Sequence, residues 1–340
     1  MVKVSHIFDK IISLENLFLA WHEFKRGKRK KKDVIKFEFD LEDNIFKLHW
    51  LLENNYYHHD KYQCFSICDP KPRTIHKASV LDRILHHAVF RILYPIFDST
   101  FIGDSYSCRL NKGTHRGVAR LEQFAERASR HYRGSCFILK CDISKFFASI
   151  DHTVLKNLIR RRISDSRALD LIDKIIDSYN NKNFEAKKGV PLGNLTSQLF
   201  ANIYLDELDK FVKHDLKARF YLRYTDDFII VHRDENYLKG LIPEIGEFLR
   251  QNLKLDLHPQ KITIRKLIQG IDFLGYVGLP HYKVLRTKTK RRMFKKLKGK
   301  QAQFYSGEIP RESFEQARQS YLGMLSHCHS HKFARKINEF

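Results

Sequence analysis

Three aspartates stand where a metal-dependent reaction could use them. Asp226 and Asp227 sit side by side in "RYTDDFIIVH" (223 to 232), and Asp142 ends the apolar, β-prone run "SCFILKCD" (135 to 142). "FYLRY" and "FIIVH" read as the arms of a β-hairpin whose tip presents both carboxylates, the apolar flanks burying the strands and leaving the acids at the rim. An ordinary Asx turn would use the same residues. If the strand ending at Asp142 neighbours that hairpin, three carboxylates converge. Mg²⁺ prefers oxygen ligands at about 2.0 to 2.1 Å and usually keeps waters and substrate phosphates, so such a cluster could hold two ions about 3.5 to 4 Å apart.

Elements able to position these acids can be read from periodicity. Residues 7 to 24, 41 to 54 and 79 to 97 carry apolar positions at helical spacing, so the first third reads as mainly helical, with Pro95 near the end of its strongest helix. A helix opens at "DHTVLKNLIRRRI" (151 to 163), with Asp and Thr as capping candidates. The tight Gly/Pro loop of "GVPLGNLTSQLFANIYLDELDKFV" (189 to 212) feeds another. Strands are expected at 220 to 224, 228 to 232, 261 to 266 and 271 to 279, and the chain from about 281 onward reads as basic and helical.

The charge explains why acids are worth noticing. Against 39 Asp and Glu stand 62 Lys and Arg, a formal net charge of +23, which is the footprint of a polyanion binder. Two runs concentrate it: "KRGKRKKK" (25 to 32) has seven basic residues in eight, and "RTKTKRRMFKKLKGK" (286 to 300) has nine in fifteen. Either alone could be a solvated tail; together they favour nucleic acid. A membrane surface is a poorer match, because the second run lacks a broad apolar face. No apolar run approaches the roughly 20 residues of a membrane helix, and no targeting signal is evident. Six irregularly spaced cysteines imply reduced thiols and a cytoplasmic setting.

From these residues a resemblance emerges. "DPKPRTIHKASVLDRILHHAV", "SYSCRLNKGTHRGV", "CDISKFFASIDH", "GVPLGNLTSQ", "RYTDD", "LHPQK" and "IDFLGY" resemble, in that order, successive motifs of the reverse transcriptases. The resemblance covers nearly the whole chain and implies an α+β, right-hand polymerase fold. It would place an N-terminal extension and fingers at 1–134, a palm with an antiparallel sheet at 135–279 (a segment at about 155–189 contributing to the fingers), and a helical thumb at 280–340.

Roles follow motif by motif. Asp142, Ile143, Asp226 and Asp227 would form the metal set for two Mg²⁺ ions, with Mn²⁺ able to substitute. Lys261 of "LHPQK" matches a lysine proposed to protonate pyrophosphate, although an exposed lysine before a strand reads the same way. Lys71, Arg73 and Arg83 belong to the motif that binds the incoming triphosphate; Arg83 could instead pair with Asp82 or another acid. Phe147 matches the steric gate against ribonucleotides, and either it or Phe146 is also a candidate core aromatic. Leu192, Gly193 and Gln198 line the substrate loop, and Phe273, Leu274 and Gly275 form the primer grip.

One departure narrows the resemblance. Many reverse transcriptases carry Pro-Gln-Gly and Ser-Pro in the substrate loop, whereas this chain has Pro191-Leu192-Gly193 and Ser197-Gln198. That pattern is similar to the reverse transcriptases of diversity-generating retroelements, which copy a template RNA with errors concentrated at adenines. Leu192 cannot make the hydrogen bond a Gln offers, but one bond is worth roughly 0.5 to 1.5 kcal/mol, too little to explain gross infidelity alone. The resemblance implies template RNA, cDNA or primer, dNTPs and a pentameric accessory variability protein as partners, and no membrane. Other readings are an intron-type or phage-defence reverse transcriptase, and a catalytically silent RNA-binding scaffold. "CFSIC" (64 to 68) and "HCHSH" (327 to 331) match no common zinc-finger spacing, and no P-loop is present.

Overall fold

The computed structural model describes residues 3–68, 72–179 and 187–340. Helices α1 (Phe8–Ile12), α2 (Leu14–Phe24), α3 (Lys32–Phe39) and α4 (Leu41–Glu53) precede strands β1 (Gln63–Ile67) and β2 (Arg73–Lys77). Next come α5 (Val80–Asp98), α6 (Thr114–Ala128), β3 (Phe137–Asp142), the single turn α7 (Phe146–Ser149), α8 (His152–Arg160), α9 (Ser166–Asp177) and α10 (Leu195–Lys210). Strands β4 (Tyr221–Tyr224) and β5 (Asp227–His232) lead to α11 (Glu235–Leu253), and β6 (Thr263–Lys266), β7 (Ile271–Phe273), β8 (Tyr276–Leu279) and β9 (Tyr282–Leu285) to α12 (Thr287–Tyr305), α13 (Arg311–Leu325) and α14 (His331–Asn338). They form two compact units, each discontinuous in sequence.

The first unit comprises Met1–Gly103, Ile143–Lys217 and Pro243–His258. Its helices form where the sequence supplies caps and an apolar stripe. Ser13 accepts from the Asn16 amide and splits the greasy segment expected as one helix into α1 and α2. The Ser79 hydroxyl accepts from the Asp82 amide and starts α5, whose Ile84, Leu85, Ala88, Val89 and Leu93 are wholly buried; Pro95 sits in its last turns. α10 is buried almost all round, and the Tyr204 hydroxyl donates to the Leu253 carbonyl at 2.6 Å. Strands β1 and β2 pair antiparallel between two expected helices, where no strand was expected. Their side chains are exposed or half-exposed, so no apolar alternation announced them.

The second unit comprises Asp104–Asp142, Ala218–Ile242 and Pro259–Phe340. Its four-stranded antiparallel sheet has the order β4-β5-β3-β6. Val118, Leu121, Phe124 and Ala125 of α6 share one core with Ile138, Leu222, Ile229 and Val231 of that sheet. The expected strand at 271–279 is instead a hairpin, β7–β8, extended by β9 into a second sheet. Its Ile271, Phe273, Tyr276 and Leu285 join the same core, as do Met293 and Leu297 of α12. Antiparallel sheets packed on helices make the chain α+β. No described helix is long and apolar enough to cross a membrane.

Candidate active site

The acids of the second unit are placed by register. Tyr224 pairs with Asp227, which leaves Thr225 and Asp226 as a two-residue turn between β4 and β5. Thr225 has φ +56°, uncommon for a β-branched residue, so the turn is held in a costly conformation. Several bonds hold it: the Thr225 hydroxyl donates to Ser107 Oγ at 2.6 Å, and the Arg223 guanidinium to the Thr225 carbonyl at 3.1 Å. The backbone amide of Tyr106 donates to the Arg223 carbonyl at 2.9 Å, laying residues 104–107 along β4. Arg223 is wholly buried. Neither it nor Ser107 stood out in the sequence, since an arginine inside an apolar strand carries no signature of its own.

On the neighbouring strand, Asp142 lies opposite Asp227 in the β3–β5 ladder. Directly opposed residues have Cα atoms about 4.5 to 5.5 Å apart, so the two carboxyls are close. Each is matched by a lysine. Lys261 Nζ is 2.6 Å from Asp142 Oδ1, and Lys140 Nζ is 3.1 Å from Asp227 Oδ2 while also donating to the Asp272 carbonyl at 2.9 Å. Burial pushes the Asp227 carboxyl up to about 6; Lys140 opposes this, and the charges of Asp142 and Asp226 add to it. Its Oδ1 is buried without a hydrogen-bond partner. Such an oxygen calls for a cation or a proton. The paired carboxylates of Asp142 and Asp227, one with an orphaned oxygen, are hard oxygen donors of the kind a divalent ion takes. No group of three or more His, Cys, Asp or Glu among the described residues forms a ready-made metal cage, and here lysines neutralise Asp142 and Asp227.

The β7–β8 hairpin belongs to the same unit. Phe273 is buried, and Leu274 (φ +50°) and Gly275 (φ +91°) make its two-residue turn. The Gly275 carbonyl accepts from the Arg286 amide at 2.9 Å, and the Lys140 ammonium lies 5.8 Å from the centre of the Phe273 ring.

The remaining candidates lie in the first unit. Phe146 is a core side chain and Phe147 is half-buried, with its carbonyl accepting from the Val190 amide at 2.8 Å. Ile143 is buried, bridging to Leu257. The Leu192 carbonyl accepts from His76 at 3.1 Å, Gly193 has φ +111°, and Gln198 is exposed on α10. Arg73 is exposed at the start of β2, and Lys71 lies outside the described residues. Arg83 pairs with Asp33, Nη2 to Oδ2 at 2.7 Å, an acid that sequence reasoning did not single out.

Comparison with known proteins gives the family. The family described as "Reverse transcriptase (RNA-dependent DNA polymerase)" matches residues 54–277, which include the acids of β3 and β5 and the β7–β8 turn. Protein YkfC of Escherichia coli (strain K12) is 27% identical, over 61% of this chain and 63% of its own length. The group II intron-encoded protein LtrA of Lactococcus lactis subsp. cremoris is 25% identical, over 61% of this chain and 44% of its own. The chain thus spans about half the length of these curated relatives. A solved structure of apo telomerase from Candida tropicalis, truncated from its C-terminal domain, aligns over 72% of this chain and 60% of that one, at 14% identity and a TM-score of 0.49. With the family's match running through the sheet that carries Asp142, Asp226 and Asp227, the chain belongs to the reverse transcriptase family.

Proposed function

We propose that this protein is an RNA-directed DNA polymerase of a diversity-generating retroelement, copying a template RNA into adenine-mutagenised cDNA. The observation that carries the polymerase reading is the pairing of Asp142 with Asp227 beside the Asp226 turn. Asp142, Asp226 and Asp227, with Ile143, would hold two Mg²⁺ ions, Mn²⁺ substituting. Such ions stabilise the negative charge that develops on the oxygens of phosphoryl transfer. The chain's own residues mostly position. Phe147 would exclude a 2′-hydroxyl beneath the incoming sugar, Lys71 and Arg73 would hold the triphosphate, and Lys261 would move from Asp142 to donate a proton to the departing pyrophosphate. Phe273, Leu274 and Gly275 would seat the primer end. The exposed Lys and Arg of α12, opposite its buried Met293 and Leu297, suit the phosphates of a template–primer duplex. The reading keeps fingers at 1–134, palm at 135–279 and thumb at 280–340, the palm range containing the β4-β5-β3-β6 sheet. A pentameric accessory protein and a cytoplasmic location complete it.

Leu192-Gly193 followed by Ser197-Gln198 supports the retroelement subtype. The likeness to the intron-encoded LtrA favours a second reading, an intron-type reverse transcriptase. Sequencing cDNA made on an RNA containing all four bases separates them. The retroelement enzyme misincorporates frequently opposite adenine and far less opposite the other bases; uniformly accurate cDNA leaves the intron-type reading.

A further inference from the structure

Lys140 stands two residues before Asp142 on β3, so the two side chains share one face of the strand while Leu139 and Cys141 fill the other, buried one. It lies opposite Ile229 in the β3–β5 ladder, which makes Asp227 its diagonal neighbour, within reach of a long side chain. The Lys140 ammonium is 3.1 Å from Asp227 Oδ2 and donates to the Asp272 carbonyl of β7 at 2.9 Å. β3 and β5 belong to the four-stranded sheet and β7 to the three-stranded one, so one ammonium spans two sheets. The β7–β8 hairpin is gripped at Asp272 a second time: Arg286 Nη2 lies 2.6 Å from Asp272 Oδ1, and the Arg286 amide donates to the Gly275 carbonyl in the turn at 2.9 Å.

We propose that Lys140 is a positioning residue that couples the β7–β8 hairpin to Asp227: the hairpin carbonyl fixes where the ammonium stands, and the ammonium fixes which carboxylate oxygen of Asp227 is left for a cation. A lysine serving only as a counter-charge would need no neutral partner. The bond to a backbone carbonyl adds what charge alone does not, a fixed place and direction for the ammonium. With Oδ2 engaged by Lys140, Oδ1 is the buried oxygen that has no hydrogen-bond partner. The proposal deepens the polymerase reading above, in which the hairpin seats the primer end and Asp227 belongs to the metal set; on that reading a displaced primer seat disturbs the acid it serves. Coupling of this kind is reciprocal, so a change at Asp227 must register in the hairpin.

The test is hydrogen exchange of the full chain, read by mass spectrometry on the segment 271–279, without divalent metal, dNTPs or primer. Lys140→Met keeps an apolar stem and removes the ammonium, so the hairpin amides should exchange roughly tenfold faster while α10 keeps its protection. Asp227→Ala removes the carboxylate and leaves the hairpin sequence untouched. It should speed the same amides roughly threefold, and the double variant should match Lys140→Met alone. Hairpin exchange that Asp227→Ala leaves unchanged, or effects of the two substitutions that simply add, would overturn the proposal. Asp227→Ala by itself decides the matter where Lys140→Met does not fold. In primer extension, Lys140→Met should raise the KM for primer–template roughly tenfold and move the KM for dNTPs by less than about twofold; the opposite split would also overturn it. Because exchange is followed without substrates, the two readings separate: coupled exchange in a protein that extends no primer removes only the polymerase reading, and independent exchange in a protein that extends primers normally removes this inference alone.

Discussion

Asp142 and Asp227 face each other across the β3–β5 ladder, and each carboxylate is held by its own lysine, Lys261 and Lys140. Such pairing resolves the contrast between a strongly basic chain and its acidic spot. Close carboxylates repel unless a cation lies between or beside them, and lysines can serve until a divalent ion arrives. A lysine that serves in this way must be able to leave. Lys261 is on the short segment before β6, about two-fifths exposed, whereas Lys140 is anchored to the Asp272 carbonyl. Under the proposed metal-binding reading, Lys140 would be the permanent partner and Lys261 the exchangeable one.

Phe147 provides a test of sugar selection. Phe146 is already committed to the core, while Phe147 is only half-buried. Phe147→Ala should raise the use of rNTPs relative to dNTPs by at least tenfold, about 1.4 kcal/mol of discrimination, in single-nucleotide extension assays. A ratio that does not move assigns the gate elsewhere.

Acid stability should depend on His87. Burial lowers its pKa from 6.5 to about 4, repulsion from Lys28 and Arg83 adding to the effect and Glu23 opposing it. Between those values the unfolded chain binds a proton that the folded chain refuses, so this contribution is complete above about pH 6.5 and is lost as the pH falls toward 4. The window corresponds to on the order of 3 kcal/mol. Chemical denaturation from pH 7.5 to 4.5 should show stability falling in the natural protein and a flatter profile in His87→Gln. Identical profiles would show that His87 does not contribute.

Gly193 tests the backbone of the substrate loop. Its φ is +111°, and a Cβ there would lie 3.0 Å from Ile75 Cγ2. Gly193→Ala should cost about 1 to 3 kcal/mol through backbone strain and contact together. Ile75→Ala relieves only the contact, so the double variant should recover part of the loss. Full stability in Gly193→Ala alone would contradict the loop geometry.

How much of this was legible in the sequence depended on how strongly each element signals burial. The β4–β5 hairpin was readable because Tyr221, Leu222 and Phe228–Val231 are buried on both faces, giving an apolar run interrupted only by Arg223 and by Thr225 and its acidic neighbours. Strands β1 and β2 were not, since Gln63–Ile67 is exposed throughout and looks like a loop. α3 and α6 were hidden by their charge: only Val34 is buried in the first, and the second spaces its apolar residues among Arg and Glu. The break inside 271–279 rests on Leu274 adopting a left-handed conformation, which its side chain does not advertise. The aspartates were visible as residues, but their lysine partners Lys140 and Lys261 are set by strand register and by a chain segment far along the sequence. Asp33 was invisible for the same reason, an acid inside a basic run whose role comes from folding against β2 and α5.

The most direct test is primer extension on an RNA template with dNTPs, with and without Mg²⁺, comparing the natural protein with Asp226→Ala and measuring RNA affinity alongside. The account predicts Mg²⁺-dependent extension by the natural protein and its loss, by a factor of about 10³ or more, in a variant that binds RNA undiminished. Extension by Asp226→Ala at an undiminished rate, or by the natural protein with all divalent metal removed, would contradict it.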